Sequence, residues 1–325
     1  MYEYAIIARE HLDMAKQNTS HLLMIRPIAF EMNAETALDN HYQQEVDGLS
    51  DAKAQTQALE EFDNFVIKLR QVGVNVIVVE DTPNSKTPDS IFPNNWISMH
   101  GNGTVVLYPM FAPNRRKERR MDVLDILKDN GFRVDAILDL SPAENDGRIL
   151  EGTGSLVLDH ENSVAYACLS HRTNVDELAN WAKLTDYKTV SFHALQDVEG
   201  ELLPIYHTNV MMSVGQEIAI VCADCIKDET ERNLVIDSLK EAGKEIVLIS
   251  EDQKSSFAGN MLQVVNDKDE HILVMSTQAF ESLSTEQIET IEKTNRILHS
   301  SLETIETLGG GSARCMMAEV FLPEF

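Results

Sequence analysis

The sequence predicts an α/β fold built from one repeated unit, a single amphipathic helix among short apolar strands, occurring five times along the chain. Three observations carry this expectation. Apolar stripes at helical spacing return at intervals of about 55 to 65 residues, a period typical of repeat architectures. Three of the stripes stop at a glycine (Gly73, Gly131 and Gly243), the residue favoured just past a helix because it tolerates a left-handed backbone. Apolar runs rich in valine and isoleucine lie between them, as buried strands would. Five strand-rich units with one helix each suggest a closed ring. A single doubly wound sheet is the alternative that periodicity leaves open.

The first stripe is Leu59, Phe62, Val66 and Leu69, which leads past Gly73 into the strand-like run Val74 to Val79. Val105 to Tyr108 reads as a strand, and a helix is expected over 115–130, with Leu124 and Leu127 facing inward. Ser155 to Leu158 and Ala165 to Cys168 are the next strands, followed by a helix over 174–184. Val210 to Met212 and Ile218 to Ile220 precede a fourth helix over 229–242, and Ile246 to Ile249 follows it. Ile272 to Met275 precedes the fifth helix, which begins near Ser284 and runs to Lys293. Ser284 and Gln287 have the spacing of a capping box. No proline- or serine-rich linker divides the chain, so 21–325 is read as one domain, with 1–20 as an N-terminal extension of unknown role.

Composition narrows the partners. The 325 residues are 43% apolar and 25% charged, as in ordinary globular proteins. Lysine and arginine number 27 against 53 acidic residues, a net charge of −26. So acidic a surface repels phosphate backbones and anionic lipid, which argues against nucleic acid or a membrane surface as partner. Charges run through the first twenty residues (Glu3, Arg9, Glu10, Asp13, Lys16). Signal peptides and spanning helices need apolar runs that are missing here, so a cytoplasmic location is expected. Four cysteines in a chain of this length do not suggest a disulfide framework and fit a reducing compartment.

The most unusual local sequence is Gly309-Gly-Gly-Ser-Ala-Arg-Cys315-Met-Met. Its glycines allow close backbone approach. It lacks the Gly-Lys-Ser/Thr ending of a phosphate-binding loop. Taken alone, Cys315 reads first as a buried structural thiol. Cys222 and Cys225 form a C-x-x-C pair with no second pair and no nearby histidine, which argues against zinc and makes a redox role weak, leaving two core-side thiols at a strand end. His207, in Tyr206-His-Thr-Asn209 at the start of an apolar strand, can project into a cleft. Glu151 sits between Ile149-Leu150 and Gly152-Thr-Gly154, a carboxylate at a flexible turn or an ordinary solvated loop. Asp89, Asn95 and the aromatics Phe92 and Trp96 suit a small-molecule pocket or a turn over a core. Arg115 looks like part of the basic first turn of a helix, and Arg172 like a solvated loop residue.

In chain order, Asp89-x-x-Phe92, Arg115 with Glu118, Glu151-Gly152, Ser170-x-Arg172-Thr173, His207-x-Asn209 and Gly310-x5-Met316 around Cys315 resemble the guanidino-group-modifying enzymes. These are the arginine deiminases, dimethylarginine dimethylaminohydrolases and amidinotransferases. Leu23 to Pro27, Tyr108 to Arg116 and Tyr206 to Met212 resemble the citrulline utilisation hydrolases within that superfamily. The resemblance covers 22–323 and implies a five-bladed α/β propeller, the pentein fold, with no metal and no cofactor. It implies Cys315 as nucleophile, His207 as general acid and later activator of water, and Glu151 as the carboxylate that orients His207. Asp89 would hold the terminal nitrogens of the substrate, and Arg115 and Arg172 would receive its α-carboxylate.

One departure bears on the substrate. Arginine deiminases and amidinotransferases carry aspartates where this chain has Asn95 and Asn209. Asparagine brings no charge but offers a donor and an acceptor, which suits a neutral ureido group better than a guanidinium. The expectation is a small amino-acid substrate, citrulline, hydrolysed to ornithine, carbon dioxide and ammonia. Arginine or methylarginine hydrolysis with the same residues is the alternative, and an amino-acid-binding propeller without catalysis is a third reading. A homodimer is left open.

Overall fold

A computed structural model describes residues 16–82 and 86–325. Residues 1–15 of the expected extension lie outside the described residues. The chain forms a mixed α/β fold of five separate three-stranded sheets. Helix α1 (Asp51–Gln71) is a full version of the repeated helix. Ser50 caps its start by accepting from the Lys53 N–H, and Ala54, Ala58, Phe62, Phe65, Val66 and Leu69 form its buried face. Of these, the phenylalanine, valine and leucine side chains contribute about 1.5–3 kcal/mol each when fully buried. Gly73, with φ of 90°, lets the chain turn back.

The units share one plan. In the first, β1 (His21–Arg26) runs parallel to β2 (Asn75–Glu80) across α1. The second has β3 (Ile97–Met99), β4 (Thr104–Leu107), helix α2 (Asp122–Asp129) and β5 (Ala136–Asp139). The third has the short helical turn α3 (Gly152–Ser155), β6 (Val157–Asp159), β7 (Val164–Cys168), α4 (Val175–Thr185) and β8 (Lys188–Phe192). A hairpin of β9 (Leu195–Val198) and β10 (Glu201–Pro204) follows. The fourth has β11 (Met212–Val214), β12 (Ile218–Val221), α5 (Glu229–Glu241) and β13 (Glu245–Leu248). The fifth has α6 (Glu251–Ser255), β14 (Leu262–Val265), β15 (His271–Ser276), α7 (Thr277–Ser282), α8 (Thr285–Ile291) and β16 (Arg296–Ser300). Units two to five pair their first strand antiparallel with the second, and the second parallel with the third. The first unit receives its antiparallel strand from the far end of the chain, as β17 (Ala318–Glu319) pairs with β1. The strands do not join into the one large sheet of the doubly wound alternative, and no sheet among the described residues is closed.

Several expected boundaries move. The helix expected over 115–130 is a 3₁₀ turn at Arg115–Glu118 and then α2, because the backbone opens to φ −68°, ψ 91° at Arg119. The strand expected from Ser155 starts at Val157, and the one expected from Val210 starts at Met212, because a tight turn precedes each. The fifth helix is α8, two residues shorter at its end than expected, and α7 is an additional short helix before it. The α8 capping box forms, with Ser284 Oγ accepting from Gln287 N–H at 3.2 Å and Gln287 Oε1 accepting from Ser284 N–H at 2.8 Å.

Gln17 ties the third and fourth units together. Its amide donates to the carbonyls of Leu158 (3.0 Å) and Val214 (3.2 Å), and its oxygen accepts from His160 N–H (2.7 Å). Burial pushes the His160 imidazole down to about 3, and the charges of His100 and Arg314 add to this. The unfolded chain therefore binds a proton that the native state excludes. Stability is complete above the unfolded value of 6.5 and falls as the pH drops below it. Lowering the pH from 7 to 5 should cost about 2 kcal/mol of unfolding free energy through this histidine. Urea midpoints across that range should show the loss, and His160→Gln should flatten the slope. An unchanged slope in the variant would show that His160 is not the group responsible.

Candidate active site

A tight turn leads into the first strand of each sheet, and each turn supplies a polar side chain to one place. The 3₁₀ turn Pro93–Asn95 before β3 brings Asn95. Glu151 is the cap of α3 before β6. His207 caps the 3₁₀ turn Thr208–Val210 before β11, and Asn209 lies within it. Gly259-Asn260 precedes β14, and the 3₁₀ turn Ala313–Met316, holding Cys315, precedes β17. Pro93–Asn95 packs on Ala313–Met316 and on α3, and α3 packs on Thr208–Val210. Two glycines permit this convergence. A Cβ at Gly259 would lie 2.4 Å from the Val210 carbonyl oxygen, and one at Gly154 would lie 2.4 Å from Asn95 Nδ2 and 2.8 Å from His207 Nδ1.

Glu151 and His207 form a buried acid–imidazole pair, with Oε2 and Nε2 2.7 Å apart. The other Glu151 oxygen accepts from Phe111 N–H at 2.8 Å, and Arg172 Nη1 stands 3.5 Å from Oε2. Burial pushes the Glu151 carboxyl up, but Arg172 and His207 overcome this and hold it below the usual carboxylate range. Burial lowers His207, with Glu151 opposing the shift and Arg172 and Arg115 adding to it. The pair is thus a fixed carboxylate beside an imidazole that rests neutral and can accept a proton.

Two amide groups point at the Cys315 sulfur, Asn260 Nδ2 at 3.2 Å and Asn209 Nδ2 at 3.4 Å. Asn260 is itself anchored. Its oxygen accepts from Arg314 N–H at 3.0 Å, and its nitrogen also reaches the Asn209 carbonyl at 3.1 Å. The sequence reading missed Asn260. The available signal was the repeat itself, since the other four units each place a polar residue just before the corresponding strand.

Asp89 Oδ2 accepts from Asn33 Nδ2 (2.7 Å) and Thr36 Oγ1 (3.0 Å), while Oδ1 is buried without a partner. Asn95 Oδ1 accepts from Arg115 Nη1 at 2.8 Å. A guanidinium can only donate, so Arg115 fixes the Asn95 amide with its nitrogen turned the other way. That nitrogen is buried and unpaired, as are Asn209 Oδ1 and both polar atoms of Asn94. Leaving such groups unpaired costs about 1–3 kcal/mol each, so a ligand that meets them gains by that amount.

Arg115 and Arg172 are buried, not solvated. Arg115 forms a two-pronged pair with Glu118, Nε to Oε1 at 3.0 Å and Nη2 to Oε2 at 2.9 Å, and it also donates to the Phe92 carbonyl at 3.3 Å. Arg172 grips Asp39 in the same two-pronged way and lies 4.9 Å above the Tyr206 ring. These partners, together with the His207 contact of the fully buried Glu151, correct the solvated-loop reading of Glu151 and Arg172 and the surface-helix reading of Arg115. Asp39 belongs to the segment 27–50, which the sequence reading also missed. It packs across the loop that carries Cys315 through Asn40 Nδ2 to Gly310 O (3.2 Å), Gln43 Nε2 to Leu308 O (3.0 Å) and Gln44 N–H to Thr307 O (2.7 Å). Among the described residues, no cluster of three or more His, Cys, Asp or Glu side chains is set to hold a metal ion, and no helix is long and apolar enough to cross a membrane.

Residues 26–322 match the family model described as N,N dimethylarginine dimethylhydrolase, eukaryotic. The chain belongs to this family. With it, the chain falls in the guanidino-group-modifying superfamily that its motifs resemble. No curated protein matches its sequence. Among solved structures, ArgZ, an arginine dihydrolase from the ornithine–ammonia cycle in cyanobacteria, is similar with a TM-score of 0.70 at 21% identity. That match covers 94% of this chain and 41% of ArgZ, so the chain spans about two fifths of the full-length enzyme. The product-bound N-terminal domain of ArgZ is matched over 99% of its length and 93% of this chain, again with a TM-score of 0.70 and 21% identity. A point mutant of the Pseudomonas aeruginosa dimethylarginine hydrolase complexed with citrulline has a TM-score of 0.64 at 12% identity, covering 94% of this chain and 99% of that one. This dimethylarginine dimethylhydrolase family member shares the mixed α/β fold of all three.

Proposed function

We propose that the protein hydrolyses the ureido group of citrulline, with Cys315 as nucleophile, His207 as proton carrier and Glu151 holding His207. The observation that supports this most is the orientation of Asn95. Arg115 turns the Asn95 nitrogen toward the site as a donor, while Asp89 Oδ1 and Asn209 Oδ1 are acceptors. A ureido group offers a carbonyl oxygen to the donor and N–H groups to the acceptors. A guanidinium has no acceptor to give. In the proposed reaction Cys315 Sγ attacks the ureido carbon as its thiol proton passes to His207, and the bond to the ornithine nitrogen breaks as His207 delivers that proton to it. Water, deprotonated by His207, then cleaves the S-carbamoyl cysteine, releasing carbamate that decays to carbon dioxide and ammonia. The amide nitrogens of Asn209 and Asn260 favour charge on the sulfur as it leaves.

Arg172 is proposed to receive the α-carboxylate in exchange for Asp39, whose side chain is 19% exposed against 1% for Glu118 on Arg115. Arg115 is proposed as the strut that orients Asn95 and not as a second carboxylate receptor, because its guanidinium is committed to Glu118 and Asn95. The five sheets are proposed as blades of a propeller around this site within a catalytic domain spanning 21–325. Support comes from β17 joining the first sheet and from contacts of β17 with β3, β6 with β11 and β11 with β14. The family match and the free Asp89 oxygen favour hydrolysis of arginine or dimethylarginine as the second reading.

A product assay with citrulline, arginine, dimethylarginine and agmatine side by side separates the two. Citrulline should give ornithine and ammonia in equal amounts. If citrulline is inert and instead accumulates from arginine or dimethylarginine, the ureidase reading fails.

A further inference from the structure

Cys222 and Cys225 form the one sequence motif that the site does not use. Cys222 caps the 3₁₀ turn Ala223–Cys225 at the end of β12, both side chains are buried, and their sulfurs lie 3.2 Å apart. A disulfide bond is about 2.05 Å long, so closing one requires a movement of about 1 Å within a single turn. Next to the pair lies Lys254 of α6, a buried ammonium that donates to Gln196 Oε1 at 2.9 Å and sits 5.5 Å above the Tyr42 ring. Tyr42 comes from the segment 27–50. Its hydroxyl reaches the same Gln196 oxygen at 3.4 Å, and its ring packs on Phe257 at 5.1 Å and Tyr206 at 6.5 Å. Tyr206 in turn places its hydroxyl between Asn40 Oδ1 (3.0 Å) and the Gly310 carbonyl (3.1 Å), against the loop that carries Cys315.

We propose that Cys222 and Cys225 are a reversible dithiol–disulfide site oxidised by hydroperoxides, and that Tyr42 transmits their state to the segment lying over the active site. A hydrogen bond from Cys225 holds the Cys222 thiol below its usual range, and Lys254 adds to this, while Cys225 is pushed up. Cys222 is therefore the attacking sulfur. Its thiolate takes the terminal oxygen of the hydroperoxide, giving Cys222–SOH and, after protonation, water or an alcohol. The Cys225 sulfur then attacks Cys222 Sγ and expels the hydroxyl as a second water, so two thiols lose two electrons and two protons to the peroxide. A small oxidant suits sulfurs of fully buried side chains, where a bulky disulfide is excluded. Oxidation draws the two sulfurs together beside Lys254 and ends their interaction with its ammonium, so the Lys254–Gln196–Tyr42 contacts and the segment they hold loosen.

The test uses the wild-type chain treated with hydrogen peroxide, digested and mapped by mass spectrometry. This readout depends on no substrate and stands apart from the ureidase assay. The expected result is a peptide crosslinked between Cys222 and Cys225, with both free thiols lost together and restored by dithiothreitol. Amide hydrogen exchange over 36–46 should be faster in the oxidised protein and return on reduction. A dose that oxidises Cys315 while leaving Cys222 and Cys225 fully alkylatable would overturn the proposal. So would a crosslink that leaves exchange over 36–46 unchanged.

Discussion

Cys315→Ser is expected to lower kcat by roughly three orders of magnitude or more while leaving the fold intact. A serine hydroxyl is far less ionised than a thiol near neutral pH, and nothing beside it is a strong base. The sulfur's near neighbours are amide nitrogens of Asn209 and Asn260, which help a charged atom but cannot deprotonate a hydroxyl. His207→Ala should cost a comparable factor by stranding the leaving nitrogen without a proton, and it also leaves the Glu151 carboxylate buried with Arg172 as its remaining charged partner. Circular dichroism and the unfolding midpoint separate a chemical effect from a folding one. Cys222→Ser serves as the control and should retain basal turnover. If it were the inactive variant and Cys315→Ser were not, the nucleophile would have to be reassigned.

The second large effect concerns substrate choice. The native protein should prefer citrulline over arginine by a factor of ~100 or more in kcat/KM, the scale of a mispaired buried polar contact. Changing Asn95 and Asn209 to Asp together should abolish citrulline turnover and move the preference toward arginine. The structure sharpens the reason. Asn95→Asp places a carboxylate against Arg115, so the donor that now faces the site disappears and an acceptor replaces it. Asn209→Asp turns an unpaired neutral acceptor into a charged one and removes an N–H from Cys315 Sγ. The single changes should fall between and combine non-additively, because both side chains face one ligand group. Measuring kcat/KM for both substrates on the four proteins decides it. A ratio untouched by the double change would mean that the asparagines do not select.

The helices were legible because a stripe of six buried positions over twenty-one residues, closed by a left-handed glycine, is a long periodic signal. Of the first strands of the sheets, β6 and β11 were read with their starts displaced, and β3, β14 and β17 were not read. β3, β6 and β11 are three residues each and β17 only two, too short for any alternation to register. That brevity hid Asn260, whose role depends on where a four-residue strand begins. The proposed catalytic set came from a family resemblance across distant segments, and no local pattern marked it. Glu151, Arg115 and Arg172 read as surface groups because a charge looks solvated until its partners are known. Those partners, Asp39 and His207 among them, lie up to 133 residues away. The segment 27–50 carries neither period, so its contact with the loop that carries Cys315 was invisible in sequence.

Pairing of Leu22 with Glu319 joins positions 297 residues apart (319 − 22). During synthesis, β1 therefore leaves the ribosome long before the strand that completes its sheet exists. Closing so wide a loop carries an entropic cost of about 5 kcal/mol, scaling as (3/2)RT ln n, and it is met only when the last turn docks. That turn carries Cys315. A nascent chain thus holds every other member of the constellation before it holds Cys315, and the proposed nucleophile arrives in the same step that completes the first sheet. Pulse-labelled chains arrested before 312 should accordingly remain protease-sensitive through His21–Arg26, while full-length chains protect it.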